Sequence, residues 1–503
     1  MTSDSYRQIL RSSSIIGGAS AINIVVGLLR IKVAAVLLGP AGVGLIGLLS
    51  NLAGTGSAIA GLGVGNVGTR QIAEAASRCD ALALAAARRA LFWGTLALAL
   101  IGAAVFWVLR GELALRVLGD VSLAAEVGWL ALVVALTVAA ASQTALLNGL
   151  HRIGDLARVS VMSALLSTAL GISALMLWGR SGLMVFIVAT PLASFLVGHL
   201  YVARLPKVKA PRTPMPVLVG HWHTLVNLGA ALMVAGLVGT LGQLLVRTLV
   251  QRGLGTDVLG YFQAASTISM TYISFVLVAL GTDYYPRLTA AIDDHTTVNR
   301  MVNEQTEVAL LLTAPVFLFM MGLAPLVIEL LYAHSFHPAA NVLRWMILGD
   351  ILKVACWPVG FIILAAGDGR TFMLTEMVAT AVFVLLTWAG LSTFGLTAAG
   401  VAFIGLYAVC LPLTYRLAAR KTGFRWTRTV WKLLGWLLVA AIMVLIVAAT
   451  SAATGAIVGL AFGVSFGFYS ASCLVHKSNL TGPIRLSANF LRHWLKKFGV
   501  SFD

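Results

Sequence analysis

The sequence predicts an all-α polytopic membrane protein with about 14 transmembrane helices, as two pseudo-symmetric six-helix lobes plus two C-terminal helices. The first reason is composition: the 503 residues are 59% hydrophobic and 11% charged, against about 25% charged in soluble domains. The second is that the apolar residues occur in long runs, whereas a transmembrane barrel alternates apolar and polar positions. These observations exclude a water-soluble enzyme, a disordered chain and a β-barrel.

Each bilayer crossing needs about 20 mostly apolar residues, and the chain offers 14 such stretches in order. The first is longer than the ~7–15 apolar residues of a signal peptide and has no A-x-A-like site after it, so we expect it to be retained. The predicted spans are 14–38, 43–67, 90–109, 127–149, 159–178, 183–203, 225–250, 258–282, 308–331, 342–366, 372–391, 397–414, 433–450 and 456–475.

The loops divide these spans into lobes. A proline-rich stretch from Pro206 to Pro216 follows the sixth span and predicts an extended linker. No loop is long enough to fold alone, so we expect no soluble catalytic domain. The predicted parts are an N-terminal lobe at 1–205, a cytoplasmic linker at 206–222, a C-terminal lobe at 223–418, the last two spans at 419–476 and a basic cytoplasmic tail at 477–503.

The charges predict the orientation. The chain has 35 Lys and Arg against 18 Asp and Glu, a net charge of +17. In the 14-span topology, 26 basic residues fall at the two termini and in the even-numbered loops, and 5 fall in the odd-numbered loops. The positive-inside rule then places both termini in the cytoplasm. Topology accounts for most of the basicity, so we expect no nucleic-acid partner.

Four basic residues lie inside predicted spans: Arg30, Lys32, Arg247 and Lys353. A charge at mid-membrane costs at least ~2.5–3.5 kcal/mol on insertion scales, so such residues usually face a cavity or a partner. For Arg30 and Lys32, snorkelling to the interface is the alternative. For Lys353, the alternative is a structural ion pair with Asp350, three residues earlier on the same helix face.

Acidic residues in the spans or at their rims are candidates for gating or for coupling transport to an ion. Glu376 lies about one turn inside the eleventh span, and the others except Asp350 lie nearer span ends. We expect no resident cofactor and no metal, with H+ or Na+ as candidate coupling ions. The gating or coupling candidates are Asp350, Glu376, Asp283 and Glu329.

Two turns of similar sequence indicate an internal repeat. The stretch 38–45, between spans one and two, shares Leu, Gly and Gly with the stretch 254–261, between spans seven and eight, at an offset of 216. Because each half has an even number of spans, both halves enter the bilayer from the same side, as in a parallel repeat. The predicted turn or hinge residues are Gly39, Pro40, Gly44, Gly255 and Gly260.

The repeat also predicts where a substrate passes. Transporters built from repeats hold their substrate near mid-membrane, between the halves. Arg30, Lys32 and Arg247 would approach such a cavity, and several cations with few acids favour an anionic substrate. Phosphate or pyrophosphate fits best, because Arg binds phosphate oxygens through paired N–H groups and Lys supplies a point charge.

Tryptophans near span ends, including Trp107, Trp178, Trp426 and Trp431, are typical of interface anchors. The segment 490–498 is short, basic and amphipathic, which predicts that it lies on the anionic inner leaflet. The four cysteines are scattered, so neither a disulfide framework nor a zinc pattern is indicated.

The chain resembles Wzx-type flippases of the multidrug/oligosaccharidyl-lipid/polysaccharide exporter superfamily, and looks most similar to O-antigen and enterobacterial-common-antigen translocases. The stretch 27–44, GLLRIKVAAVLLGPAGVG, carries the resemblance at the N terminus. In the second half it rests on 246–249, 284–288 and 345–354, followed by Glu376. The similarity covers about residues 10–415. The last two spans depart from the family, since many of its members have 12.

The resemblance implies flipping of an undecaprenyl-pyrophosphate-linked oligosaccharide, such as a lipopolysaccharide O-antigen unit, from the inner to the outer leaflet by alternating access. It implies the bacterial inner membrane as location, and membrane lipid and polysaccharide-assembly proteins as partners. Arg30, Lys32, Arg247 and Lys353 would hold the pyrophosphate. Lys32, Arg247, Asp350, Lys353 and Glu376 fall on the family's recurring charged positions, whereas Arg30 is an extra charge there.

Other functions stay open at this stage. Lipid II flippases of the same superfamily carry two extra helices that bind the lipid tail, so a lipid II-type or other polyprenyl-lipid flippase is one alternative. A cation-coupled drug exporter is a second, although it predicts acids rather than bases in the cavity. A membrane polysaccharide polymerase or glycosyltransferase is a third, and the short outer loops argue against it.

Overall fold

A computed structural model describes residues 3–78, 81–206 and 214–477, and all regular structure within these ranges is helical. The predicted all-α fold is therefore confirmed. The predicted charges Lys207, Lys209 and Arg212 and the amphipathic segment 490–498 lie outside the described residues. The α-helices of the described ranges are α1 (Ser3–Gly61), α2 (Val64–Ser77), α3 (Ala81–Val108), α4 (Arg110–Leu113), α5 (Ala124–Gly149), α6 (Ile153–Trp178), α7 (Leu183–Ala203), α8 (Met215–Leu254), α9 (Thr256–Ala290), α10 (His295–Gly322), α11 (Ala324–Leu331), α12 (Ala339–Ala365), α13 (Gly369–Phe394), α14 (Ala398–Thr422), α15 (Arg428–Thr450) and α16 (Ala452–Lys477).

Within the described ranges, 10 stretches are long and apolar enough to cross a bilayer. Three of them, Gly17–Gly61, Ile153–Ala203 and Gly369–Thr422, have 45, 51 and 54 residues. Each is long enough for two crossings of about 20 residues, and each covers two predicted spans. The predicted seventh span, 225–250, lies in the 40-residue helix α8. Each predicted span therefore corresponds to a helical segment of the structure.

Large apolar side chains lie on the outside of these helices. Leu177 is 74% exposed and Leu330 is 75% exposed. Exposure of such an extended apolar surface to water is unfavourable, so these side chains mark a surface that contacts lipid.

Helix α1 contains the first two predicted spans and is broken between them. Gly39 has φ of 64°, in the left-handed region that glycine adopts without a Cβ clash. Pro40 follows, and its ring removes an N–H donor and crowds the carbonyl of the preceding turn, so a straight helix cannot continue. The predicted turn is therefore a kink at which one helical segment ends and the next begins.

The chain divides into two compact units. The first is Met1–Gly260 with Leu331–Ala333, and the second is Tyr261–Leu330 with His334–Asp503. The first unit thus extends past the predicted lobe boundary at 205 and includes α8, which also begins inside the predicted linker. The reason is that α8 packs on α1, α2 and α3.

Two contacts hold α8 in the first unit. The Trp222 indole N–H donates to the carbonyl oxygen of Ala90 on α3, with an N–O distance of 2.9 Å. Gly229 passes the turn between α1 and α2 so closely that a Cβ there would collide with the carbonyl of Leu62. A helix held in this way belongs to the unit on which it packs, whatever the sequence of its linker.

In the second unit, α14 packs on both α12 and α13, while α15 and α16 pack on α10. Gly322 of α10 and Gly459 of α16 face each other, and a Cβ on Gly322 would lie 2.7 Å from the Cα of Gly459. Small residues at such crossings let helix backbones approach closely in a membrane. The last two predicted spans are therefore integral to this unit.

Candidate functional site

The repeated turns contact each other, and the contact is reciprocal. A Cβ on Gly44 would lie 2.6 Å from the carbonyl oxygen of Thr256, and a Cβ on Gly260 would collide with the carbonyl of Pro40. The sequence offset of 216 relates Gly44 to Gly260 and Pro40 to Thr256. The two contacts are therefore equivalent in the two turns. Gly255, with φ of 89°, joins α8 to α9 as Gly39 joins the two halves of α1. All five predicted turn residues therefore belong to two crossing turns of the first unit.

Arg30 is tied to two neighbouring helices of the first unit. Its guanidinium donates to the hydroxyl oxygen of Ser167 on α6, at 3.2 Å, and to the hydroxyl of Thr190 and the carbonyl of Phe186 on α7. It also lies over the Phe186 ring, 4.2 Å from the centroid. Such contacts use most of the donors of the fork, so Arg30 fastens α1 to α6 and α7.

Arg247 is the most enclosed of the predicted cations in the first unit. It lies on α8 and is 7% exposed. Its guanidinium donates to the carbonyl and the side-chain oxygen of Gln243, one turn earlier, at 3.3 and 3.2 Å. Lys32, on the same α1 segment as Arg30, is half-buried. Three of the four predicted pyrophosphate ligands thus belong to one unit.

Asp350 lies on α12 in the second unit and is 0% exposed. Its carboxylate accepts a hydrogen bond from the Ser269 hydroxyl of α9, at 2.5 Å, and its second oxygen is buried without a hydrogen-bond partner. Lys353 interacts with this carboxylate electrostatically. A buried carboxylate with one unpartnered oxygen is costly, which keeps Asp350 a candidate for a functional role.

Lys353 and Glu376 line one cavity of the second unit. Its volume is about 310 Å³, and its wall includes Cys356, Tyr407 and Cys410. The Lys353 ammonium interacts electrostatically with the Glu376 carboxylate as well as with Asp350. Lys353 of span ten and Glu376 of span eleven are therefore brought together at one cavity, whereas Asp350 is not among its lining residues.

The other two predicted acids lie on helix surfaces. Asp283 accepts from Arg287 one turn later, with an O–N distance of 3.0 Å, and both side chains are more than half exposed. Glu329 contacts His334 at 3.5 Å, again with both side chains exposed. Neither acid lines the cavity of Lys353 and Glu376, so their arrangement is that of local surface pairs.

An ion pair in the second unit joins the turn before α13 to the end of α14. Asp368, in the turn between α12 and α13, contacts the Lys421 ammonium of α14 at 2.6 Å. The same carboxylate accepts from the Thr371 N–H at the start of α13, at 3.0 Å. The Lys421 hydrogen bond, reinforced by those from Thr371, lowers the pKa of Asp368 from the usual 3.8 to about 2.

Sequence reasoning missed the partners of the predicted charges. Ser167, Thr190 and Ser269 are ordinary small polar residues of apolar helices, and nothing in their local sequence marks them. Of the tryptophans predicted to be interface anchors, Trp107, Trp178 and Trp431 are 55%, 59% and 54% exposed. Trp426 is an exception at 7% exposed, because Tyr415 and Trp431 cover it, at centroid distances of 5.2 and 4.9 Å.

The chain is similar in sequence to a known protein family and to two curated proteins. The profile of a family described as "Polysaccharide biosynthesis protein" matches residues 33–341. The lipid III flippases of Escherichia coli K12 and Shigella flexneri are 24% identical to this chain over 171 residues. Each alignment spans 34% of this chain and 41% of the relative, so the chain matches less than half the length of these curated relatives.

Solved structures share the fold over most of the chain. The lipid II flippase MurJ in an inward-closed conformation aligns with a TM-score of 0.68 and 13% identity, covering 92% of this chain and 99% of MurJ. An inward-facing multidrug resistance MATE family transporter of the MOP superfamily aligns with a TM-score of 0.62 and 17% identity, covering 82% of this chain and 96% of that one. At these identities the likeness establishes the transporter fold.

Proposed function

The chain belongs to the polysaccharide biosynthesis protein family, and from that premise we propose that it is a flippase for undecaprenyl-pyrophosphate-linked oligosaccharide. It carries the lipid from the inner to the outer leaflet of the bacterial cytoplasmic membrane by alternating access, with both termini in the cytoplasm. Membrane lipid and the lipid-linked oligosaccharide are its partners, and polysaccharide-assembly proteins are candidate protein partners. The family match and the MOP-type transporter fold support this proposal.

The observation that carries the proposal is the enclosed guanidinium of Arg247. It lies on α8 within a predicted span and is 7% exposed. A charged arginine in a bilayer costs at least ~2.5–3.5 kcal/mol on insertion scales, so such a residue usually faces a cavity or a binding partner. A pyrophosphate offers the charge and the oxygen geometry that a guanidinium fork binds best.

The remaining charges have separate roles in this proposal. Lys32 and Arg247 bind the pyrophosphate, Arg30 holds the Lys32 segment in place while lending charge, and Lys353 is the fourth candidate ligand. Asp350 and Glu376 gate the transporter or couple it to H+ or Na+, since Lys353 interacts with both. Asp283 and Glu329 remain candidates for gating at helix ends. The polyprenyl tail stays in the lipid throughout.

The test is reconstitution of the full chain in proteoliposomes with an undecaprenyl-pyrophosphate-linked oligosaccharide in one leaflet. An impermeant saccharide-modifying reagent then reports which leaflet holds the lipid. We expect Arg247→Ala to reduce the flipping rate by at least about tenfold, which corresponds to about 1.4 kcal/mol. Arg252→Ala is the matched control, because Arg252 lies on the same helix and is exposed.

The outcomes separate the candidate functions. Flipping by the wild type and by Arg252→Ala, with loss in Arg247→Ala, supports both the function and the role of Arg247. Equal rates in all three would contradict that role. Absence of flipping together with ion-driven uptake of organic cations would instead indicate a drug exporter. Running the assay with imposed H+ and Na+ gradients, in wild type and Asp350→Asn, tests the coupling role.

A further inference from the structure

A second cavity of the second unit lies apart from the charges discussed above. Its volume is about 680 Å³, within the range of small-molecule sites. It lies between the first turns of α10 and the turn that joins α14 to α15. Its lining includes Arg300, Asn303, Glu304, Glu307, Arg425 and Trp426.

The wall of this cavity is held by a fixed hydrogen-bond network. The Asn303 amide nitrogen donates to the carbonyl oxygens of Asn299 and Arg425, at 2.8 and 3.0 Å. Its amide oxygen accepts from the N–H of Thr427, at 2.8 Å. These bonds hold the turn before α15 against α10, so the cavity is preformed. Ligand binding would therefore cost little free energy for ordering the cavity wall.

One buried polar group of this wall lacks a partner. Trp426 is 7% exposed, it lines the cavity, and its indole N–H has no hydrogen-bond partner. Tyr415 and Trp431 pack on its ring and fix its orientation. A buried donor without an acceptor is costly and calls for a ligand or water that supplies one.

The surrounding groups define what kind of ligand fits. Arg300 and Arg425 bring hydrogen-bond donors to the lining, Glu304 and Glu307 bring carboxylate oxygens, and the Trp426 indole adds a donor to the wall. Two carboxylates disfavour a phosphate or another anion. A ligand with many hydroxyl groups satisfies both kinds of partner, because each hydroxyl both donates and accepts.

We propose that this cavity is a saccharide-binding site, which receives sugar rings of the lipid-linked oligosaccharide on the side that the basic loops predict to be cytoplasmic. This inference rests on the proposed function and adds a recognition step to it. The sugars bind here before the pyrophosphate reaches the cations of the spans. Selection among lipid-linked saccharides then takes place at this cavity rather than at the charges that hold the shared pyrophosphate.

The experiment uses the oligosaccharide without its lipid, so that only sugar contacts are measured. Polyprenyl-linked saccharide is extracted from membranes of the source bacterium, and mild acid releases the free oligosaccharide as the probe. Its binding to the full-length chain in lipid nanodiscs is followed by saturation-transfer NMR. We expect Trp426→Phe and Glu304→Gln each to weaken binding by about three- to tenfold, the loss expected for one or two hydrogen bonds.

Trp436→Phe is the matched control, since Trp436 lies on α15, is 68% exposed and does not line the cavity; it should bind as the wild type does. Equal binding by all variants would overturn the inference, and so would no binding by a wild type that flips the lipid-linked form. Binding of inorganic phosphate that depends on Trp426 would reassign the cavity as an anion site. Failure to flip the lipid-linked form would instead count against the proposed function.

Discussion

Arg30 shows how a charge inside an apolar unit can be held by neutral partners. Its fork reaches Ser167 on α6 and both Thr190 and Phe186 on α7, whereas a lysine has no fixed fork that spans two helices. We therefore expect Arg30→Lys to lower the free energy of unfolding by about 1–3 kcal/mol. Thermal unfolding in detergent measures this.

Arg158→Lys is the control for that change. Arg158 lies on α6 and forms an ion pair with Asp155 at 3.2 Å, but its side chain is 67% exposed. Exposed pairs contribute about 0–1 kcal/mol, so this variant should unfold close to the wild-type temperature. If both variants lost the same stability, the contacts of Arg30 would contribute no more to the free energy of unfolding than an exposed ion pair does.

The Asp368–Lys421 pair predicts a pH dependence of stability. The pKa of Asp368 is lowered from the usual 3.8 to about 2 by its hydrogen bonds to Lys421 and Thr371. The folded state therefore binds a proton less readily than the unfolded state, so the stabilisation is present above about pH 4 and is lost as the pH falls towards 2. Asp368→Asn should unfold at a lower temperature than the wild type at pH 6, and the difference should shrink between pH 4 and pH 2.

Asp293→Asn controls for the general effect of removing a carboxylate, because Asp293 is exposed in the turn between α9 and α10. It should follow the wild type across this pH range. A gap between Asp368→Asn and the wild type that stayed constant from pH 6 to pH 2 would show that the ion pair does not set this dependence.

At this scale, the sequence located charges but not their partners. The position of Arg30 inside an apolar run was enough to predict that it needs one. Ser167 and Thr190 lie on helices far along the chain, and their approach depends on how α6 and α7 pack. A single sequence contains no signal for that packing. The same holds for Asp350 and Ser269, which lie on different helices, α12 and α9.

At the scale of the elements, the crossing turns of the first unit leave no room for a side chain larger than that of glycine at position 44. A Cβ at Gly44 would lie 2.6 Å from the Thr256 carbonyl oxygen and 2.8 Å from the Gly260 nitrogen, and backbone atoms cannot move aside as a flexible side chain can. Gly44→Ala should cost about 1–3 kcal/mol of stability through overpacking, and flipping should slow. The thermal midpoint and the leaflet assay measure the two effects.

Gly54→Ala is the matched control on the same helix. Gly54 is exposed, and a Cβ there would meet nothing within 4 Å, so alanine should be neutral or slightly stabilising because it favours the helix. Equal loss in both variants would mean that α1 tolerates no substitution of glycine, independent of the crossing.

The predicted elements and the observed helices correspond closely, because a run of about 20 apolar residues is a strong local signal. The point at which a helix begins is a weaker signal. Helix α8 begins at Met215, since Pro216 can occupy the first turn of a helix as readily as an extended linker. Its assignment to the first unit depends on Trp222 and Gly229, whose contacts lie far away in sequence.

For the whole molecule, the charge distribution predicts a topology that can be measured. Ser181 is exposed between α6 and α7, in a loop predicted to face outward, and Thr296 is exposed at the start of α10, in one predicted to face inward. In a chain with its four cysteines replaced, an impermeant maleimide should label Ser181→Cys in intact spheroplasts. It should label Thr296→Cys only after permeabilisation. The reverse pattern would contradict the positive-inside assignment.

The transporter fold of the entire chain was predictable from composition and repeats, whereas the cavities were not. The cavity of Lys353 and Glu376 joins α12, α13 and α14, and only two of its charges were visible as unusual residues of apolar runs. The larger cavity beside Trp426 lies at a loop that the sequence marked only as basic. Loop shape depends on hydrogen bonds such as those of Asn303, which no periodicity predicts.

The reciprocal contact of the two turns has an evolutionary consequence. A self-complementary contact, in which one patch meets its own copy, is the signature of an isologous dimer. Two identical half-length chains could make the contact of Gly44 with Thr256 and that of Gly260 with Pro40 as one symmetric interface. In that ancestral state every substitution would have altered both contacts at once. After fusion into a single chain, each side could change alone, as proline at 40 and threonine at 256 illustrate.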